Sequence, residues 1–150
     1  MSAPFRFGLA RVRDLRAHDE ELAKERFAAS LSQRLRGEAI LRAAEEQLHD
    51  ARIGGAPAPH APLSGIDLVS RQAWVERLER SKADAEVRLR GLDVQLEASR
   101  EHLTDASRKR EVLDKLEQRQ RQAHVADEQR REGAALDEMA LGIHRRRFAA

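Results

Sequence analysis

Cysteine and tyrosine are absent from this 150-residue sequence, and one tryptophan and four phenylalanines supply all its aromatic rings. Without cysteine there is no disulfide scaffold, no zinc–thiolate site and no thiol nucleophile. No apolar run approaches the ~18 residues that a membrane span needs. The N-terminal stretch lacks the apolar core of a secretory signal, so the cytosol is the expected compartment. Aromatics at 3% are too few for an ordinary globular core.

What the chain has instead is charge and helix-forming residues. Charged residues make up 36% of the sequence, yet 28 basic against 26 acidic residues leave a formal net charge of only +2. The signs are interspersed, which suits solvated helices laced with pairs one turn apart. A dedicated nucleic-acid binder would concentrate basic charge on one face. Ala, Glu, Leu, Arg and Gln dominate, and all favour helix.

Proline sets the plan. The four prolines are Pro4, Pro57, Pro59 and Pro62, and three of them fall in one short stretch. An interior proline costs a helix ~3 kcal/mol, so the sequence permits two long helices around a single loop. The expected fold is all-α: a single-domain antiparallel two-helix coiled-coil hairpin over residues 1–150, with helix 1 at about 5–52, a loop at 53–65 and a longer helix 2 at about 66–144. Gly54 and Gly55 are placed to stop the first helix. Ser64 followed by Asp67 reads as a capping-box start for the second.

The first helix offers Phe5, Leu9, Val12, Leu15, Leu22, Phe27, Leu31, Leu35, Leu41, Ala44, Leu48 and Ala51 as its apolar row, with a stutter between Leu22 and Phe27. The second helix carries a cleaner signal. Ala85, Leu89, Leu92, Leu96, Ser99, Leu103, Ala106, Arg110 and Leu113 alternate by fours and threes, about four heptads of coiled-coil seam. A turn centred near residue 58 sets Phe5 opposite the neighbourhood of Glu111. Pairing then ends near Leu116, leaving ~30 residues of the second helix as an overhang. That overhang contains a polar stretch over residues 117–132, then Leu136, Met139, Ala140, Leu141 and Ile143, and closes on His144 and three arginines.

No constellation for catalysis or cofactor binding is visible. The six histidines are scattered, with no pair at metal-ligand spacing. The Gly54-Gly55 pair lacks the Gly-Lys-Ser/Thr ending of a phosphate loop. Arg145, Arg146 and Arg147 have two readings, contact with phosphate or complement to the helix dipole at its C-terminal end, and three arginines are a short run for the first. Trp74, near the loop, has two readings: a binding hot spot, or a cap on the seam packed against Leu48 and Ala51.

Several features together resemble the FliJ family of flagellar export proteins. They are the hairpin plan at this length, the ring of Trp74 with Leu78 one turn on, the stretch Arg110-Glu111-Val112-Leu113 leading to Leu116-Glu117-Gln118-Arg119-Gln120, and the closing Leu136-Asp137-Glu138-Met139 before a basic tail. The resemblance implies a non-enzymatic adaptor without cofactors, cytoplasmic and peripherally associated with the inner membrane at the flagellar base. Its implied partners are a hexameric export ATPase, the cytoplasmic part of the export gate membrane protein, and export chaperones, with no nucleic acid and no small molecule. By the same resemblance, Gln47, Ala51, Trp74, Leu78 and Ser81 face the gate. The helix ends, with Phe5, Leu9, Leu136, Met139, Leu141 and Ile143, face the ATPase ring. Two other readings stand beside it: a nucleic-acid-binding coiled-coil arm, and a coiled coil that associates with its own copy.

Overall fold

The computed structural model describes residues 4–54 and 64–148. The expected loop residues 55–63, with Gly55, Pro57, Pro59 and Pro62, lie outside the described residues. The chain is all-α, with α1 at Ala10–Ile53 and α2 at Gly65–Phe148. The helices run antiparallel, and α2 is the longer, at 84 residues against 44.

The first helix begins five residues later than the apolar spacing suggests. Residues 5–9 hold no Ser, Thr, Asp or Asn to cap a helix, and Gly8 costs about 1 kcal/mol inside one. A turn at Gly8 and Leu9 leads in, with the Ala10 amide donating to the Phe7 carbonyl at 3.2 Å. Burial of Phe7 anchors this entry. At its other end α1 stops at Ile53, and the Gly54 amide donates to the Asp50 carbonyl at 2.7 Å. The capping box of α2 forms as expected. Ile66 N–H donates to Ser64 Oγ at 3.3 Å, and Ser64 N–H donates to Asp67 Oδ2 at 3.3 Å.

Tertiary contacts group the chain into two compact units, Glu21–Thr104 and Met1–Glu20 with Asp105–Ala150. In the unit Glu21–Thr104, α2 presents the expected seam: Ala85 and Ser99 are buried, and Leu89, Leu92, Leu96 and Leu103 are half-buried. The row extends back through Lys82, Leu78, Val75 and Arg71 without breaking the alternation of threes and fours.

The α1 row keeps Phe27, Leu41, Ala44, Leu48 and Ala51 from the expected one and departs from it elsewhere. Its covered positions are Ala23, Phe27, Ser30, Arg34, Gly37, Leu41, Ala44, Leu48 and Ala51, again alternating by fours and threes. Leu22, Leu31 and Leu35 lie off this row and are exposed. The reason is volume. The facing row of α2 is rich in leucine, so close approach requires small side chains on α1. A Cβ placed on Gly37 would stand 2.6 Å from Leu92 Cδ1. Leu48 and Leu78 are the best-buried leucines of this unit, each at 5% exposure, and each contributes roughly 1.5–3 kcal/mol of hydrophobic stabilisation.

Ion pairs flank this seam. Arg34 pairs with Asp93 at 3.1 Å, Lys82 with Glu45 at 3.6 Å, and Arg52 with Glu79 at 2.6 Å. The hydrogen bond to Asp93, ahead of the field of Glu38, holds the Arg34 guanidinium above its ordinary pKa. Arg71 reaches the Arg52 carbonyl at 3.4 Å, one of the carbonyls left open at the end of α1.

The unit Met1–Glu20 with Asp105–Ala150 is held differently. Ala10, Arg13, Ala17 and Glu20 form the covered row in the first turns of α1, while Leu9, Val12 and Leu15 are exposed. Glu20 is buried at 6% exposure, accepts a hydrogen bond from Ser107 Oγ at 2.8 Å, and pairs with Arg110. Arg13 donates to Glu117 Oε2 at 2.5 Å. Hydrogen bonds to Asp14 and Glu117 keep the Arg13 guanidinium above its ordinary pKa.

The pairing offset is also corrected. Phe5 does not stand opposite Glu111: its ring meets His124 edge-on at 5.7 Å, and the Arg121 guanidinium sits 5.7 Å from its centroid. Pairing in this unit therefore extends past Leu116, through Glu117 to His124. Polar and aromatic contacts continue it where aliphatic residues stop. Residues 129–147 are exposed apart from half-buried Gly142, so the overhang is about twenty residues rather than thirty.

Candidate docking surfaces

Near the loop, the unit Glu21–Thr104 presents two of the five gate-facing candidates on the seam and three outside it. Leu78 is buried and Ala51 half-buried, so both act first in helix pairing. Gln47, Trp74 and Ser81 are exposed. Trp74 is 51% exposed, with the Arg77 guanidinium 6.0 Å from its ring centroid. The ring is therefore not a cap closing the seam. The heptad explains the division. Leu78 sits on the α2 seam row, while Trp74 and Ser81 are seven residues apart on a neighbouring row along one edge.

Beside Ser81 runs a surface groove lined by Ile40, Arg77, Arg80, Ser81, Asp84, Ala85 and Arg88. Apart from Ser81, the candidates read from the sequence did not include these residues. A signal for them exists in the pattern, because Ser81 and Arg88 repeat the Trp74 position at heptad intervals. Ile40 stands on α1 one heptad before Gln47.

In the other unit, the six helix-end candidates fall into two groups. Phe5 is half-buried against His124, and Leu9 is exposed. Leu136, Met139, Leu141 and Ile143 are exposed, each by more than half. Twelve residues separate His124 from Leu136, about 18 Å of helix, so the two groups do not form one patch. Leu136, Met139 and Ile143 are spaced by three and four and share a stripe, while Leu141 falls outside it. The basic last turn of α2, Arg145, Arg146 and Arg147, follows directly.

Among the described residues, no group of three or more His, Asp or Glu is placed to hold a metal ion. No helix among them is long and apolar enough to cross a membrane. A contiguous exposed apolar stripe on a helix otherwise covered in charge is a candidate contact surface.

No curated protein and no solved structure matches the chain. The family model described as Flagellar FliJ protein matches residues 5–148, nearly the whole chain, and the chain accordingly belongs to the FliJ family of non-enzymatic flagellar export components.

Proposed function

We propose that this protein is an adaptor that links the hexameric export ATPase to the cytoplasmic part of the export gate and couples ATPase activity to protein export. The observation that carries the reading is the exposed stripe of Leu136, Met139 and Ile143, on a stretch of α2 that nothing in its own unit covers. Leaving three large apolar side chains in water forgoes burial of roughly 1.5–3 kcal/mol each, which a partner surface would recover. This end is the part assigned to the ATPase ring, with Leu141 beside the stripe and Phe5 and Leu9 as a separate contact about 18 Å along the helix. The exposed edge near the loop, with Gln47, Trp74 and Ser81, is the part assigned to the gate; Ala51 and Leu78 support it from the seam. Export chaperones are further partners, and the working location is cytoplasmic, peripheral to the inner membrane at the flagellar base.

Co-purification tests the two assignments separately. Leu136→Glu combined with Ile143→Glu is expected to abolish capture of the ATPase and leave gate capture intact. Trp74→Ala is expected to do the reverse, with helical circular dichroism unchanged in both. Retention of both partners by both variants would sink the assignment.

A further inference from the structure

The two edges of the unit Glu21–Thr104 differ in charge. The interhelix ion pairs Arg34–Asp93, Lys82–Glu45 and Arg52–Glu79 follow one edge. Each cation there is already matched by a carboxylate. The other edge carries Gln33, Ile40 and Gln47 from α1 and Trp74, Ser81 and Arg88 from α2, all exposed. Its groove adds Arg77, Arg80 and Asp84.

On this second edge the arginines are not neutralised. Arg77 lies over the Trp74 ring, and Arg80 donates to the Glu76 carbonyl at 3.3 Å. Among the described residues, no carboxylate forms an ion pair with Arg77, Arg80 or Arg88, although Asp84 lies between them in the sequence. Three arginines and one aspartate leave the groove at +2, as much as the formal net charge of the whole chain. The groove thus carries a local basic excess, beside an exposed ring and an exposed Ile40.

We infer that this edge docks an acidic peptide segment of the partner, its carboxylates meeting Arg77 and Arg88 and an apolar side chain resting on Ile40 and Trp74. The inference rests on the assignment of this edge to the gate and adds the chemistry of the segment it takes. Eleven residues separate the two arginines, about 16 Å along the helix, a span a three-turn helix or a short extended segment covers. Arginine at both ends favours carboxylate, which it holds through paired N–H donors. A nucleic-acid backbone fits less well. Its phosphates follow in an unbroken row that Asp84 interrupts, and three cations are few for such a ligand.

The test uses the full chain, whose only tryptophan, Trp74, makes emission a local reporter at this edge. The probes are a synthetic amphipathic Glu/Leu peptide, its Lys/Leu twin, a single-stranded oligonucleotide, and the recombinant cytoplasmic part of the gate. The Glu/Leu peptide is expected to change the emission saturably and the Lys/Leu twin is not. Arg77→Glu with Arg88→Glu should weaken both the Glu/Leu peptide and the gate by at least tenfold. Both side chains are exposed and outside any ion pair, so circular dichroism should hold; Arg77→Gln with Arg88→Gln repeats the test without adding negative charge. Gate binding that depends on Trp74 but is indifferent to both arginine variants would overturn the inference and leave the gate assignment standing. A gate that does not bind, beside arginine-dependent capture of the acidic peptide, would remove the gate assignment and support acidic docking. No response to the Glu/Leu peptide, or a response to the oligonucleotide alone, would overturn the inference.

Discussion

The terminal methyl of Leu92 occupies the space that a side chain on Gly37 would need, 2.6 Å from a Cβ built there. Gly37 is buried in the middle of α1, where glycine otherwise costs about 1 kcal/mol relative to alanine. Gly37→Leu should therefore lower stability by roughly 1–3 kcal/mol through overpacking. Gly37→Ala should be nearly neutral, because the gain in helix propensity offsets a shift of the flexible Leu92 end. Urea melts of both variants and of Gly37→Leu with Leu92→Ala would show whether the two sites are coupled, as direct contact requires.

The placement of the α1 seam separates two leucines of equal size. Leu48 is 5% exposed and Leu35 54% exposed. Leu48→Ala should cost about 2–5 kcal/mol. Leu35→Gln should stay within about 0.5 kcal/mol of wild type. Comparable losses from the two in thermal denaturation would return the seam to the leucine-based row.

Glu20 and Arg110 make the second seam a polar one. Replacing Glu20 alone by leucine leaves Arg110 without its buried partner and Ser107 without its acceptor. Arg110 is 40% exposed and also pairs with Asp114, so water and that carboxylate absorb part of the loss, and the expected cost is about 1–2 kcal/mol. Glu20→Leu with Arg110→Leu should recover that loss or exceed wild type, because an apolar pair avoids the desolvation that ions incur. Denaturation of the single and double variants checks the sign of the coupling.

The hydrogen bond from Lys115, one turn on, holds the Glu111 carboxyl below its usual pKa. A lowered value in the folded state stabilises above the unfolded value and is lost as pH falls through the folded one. The pair should therefore support the helix at neutral pH and fail only in the acid range beneath the ordinary glutamate value. In Lys115→Met the Glu111 titration, followed by NMR, should move upward.

The α2 seam was legible in the sequence because large leucines mark it at heptad spacing. Its α1 counterpart was legible only in part, at Phe27, Leu41, Ala44, Leu48 and Ala51. Ser30, Arg34, Gly37 and Glu20 carry no hydrophobic signal, while Leu15, Leu22 and Leu35 do and are exposed. Which leucines face inward depended on the volume already filled by the opposite helix. The offset that sets Phe5 on His124 rather than near Glu111 escaped a symmetric turn estimate, since the pairing is already shifted close to the loop, where Arg52 meets Glu79. Of the candidate docking residues, Trp74 and the stripe of Leu136, Met139 and Ile143 stood out as large apolar residues without a seam position. The arginine-lined groove did not, because its basic excess is visible only once the opposite edge is seen to be ion-paired.

Turnover of the purified hexameric export ATPase, measured with and without this protein, tests the adaptor reading most directly. The account predicts stimulation by the wild-type chain and its loss in Leu136→Glu with Ile143→Glu, at unchanged helicity. Turnover unaffected by the wild-type chain, or stimulated equally by the double variant, would contradict it.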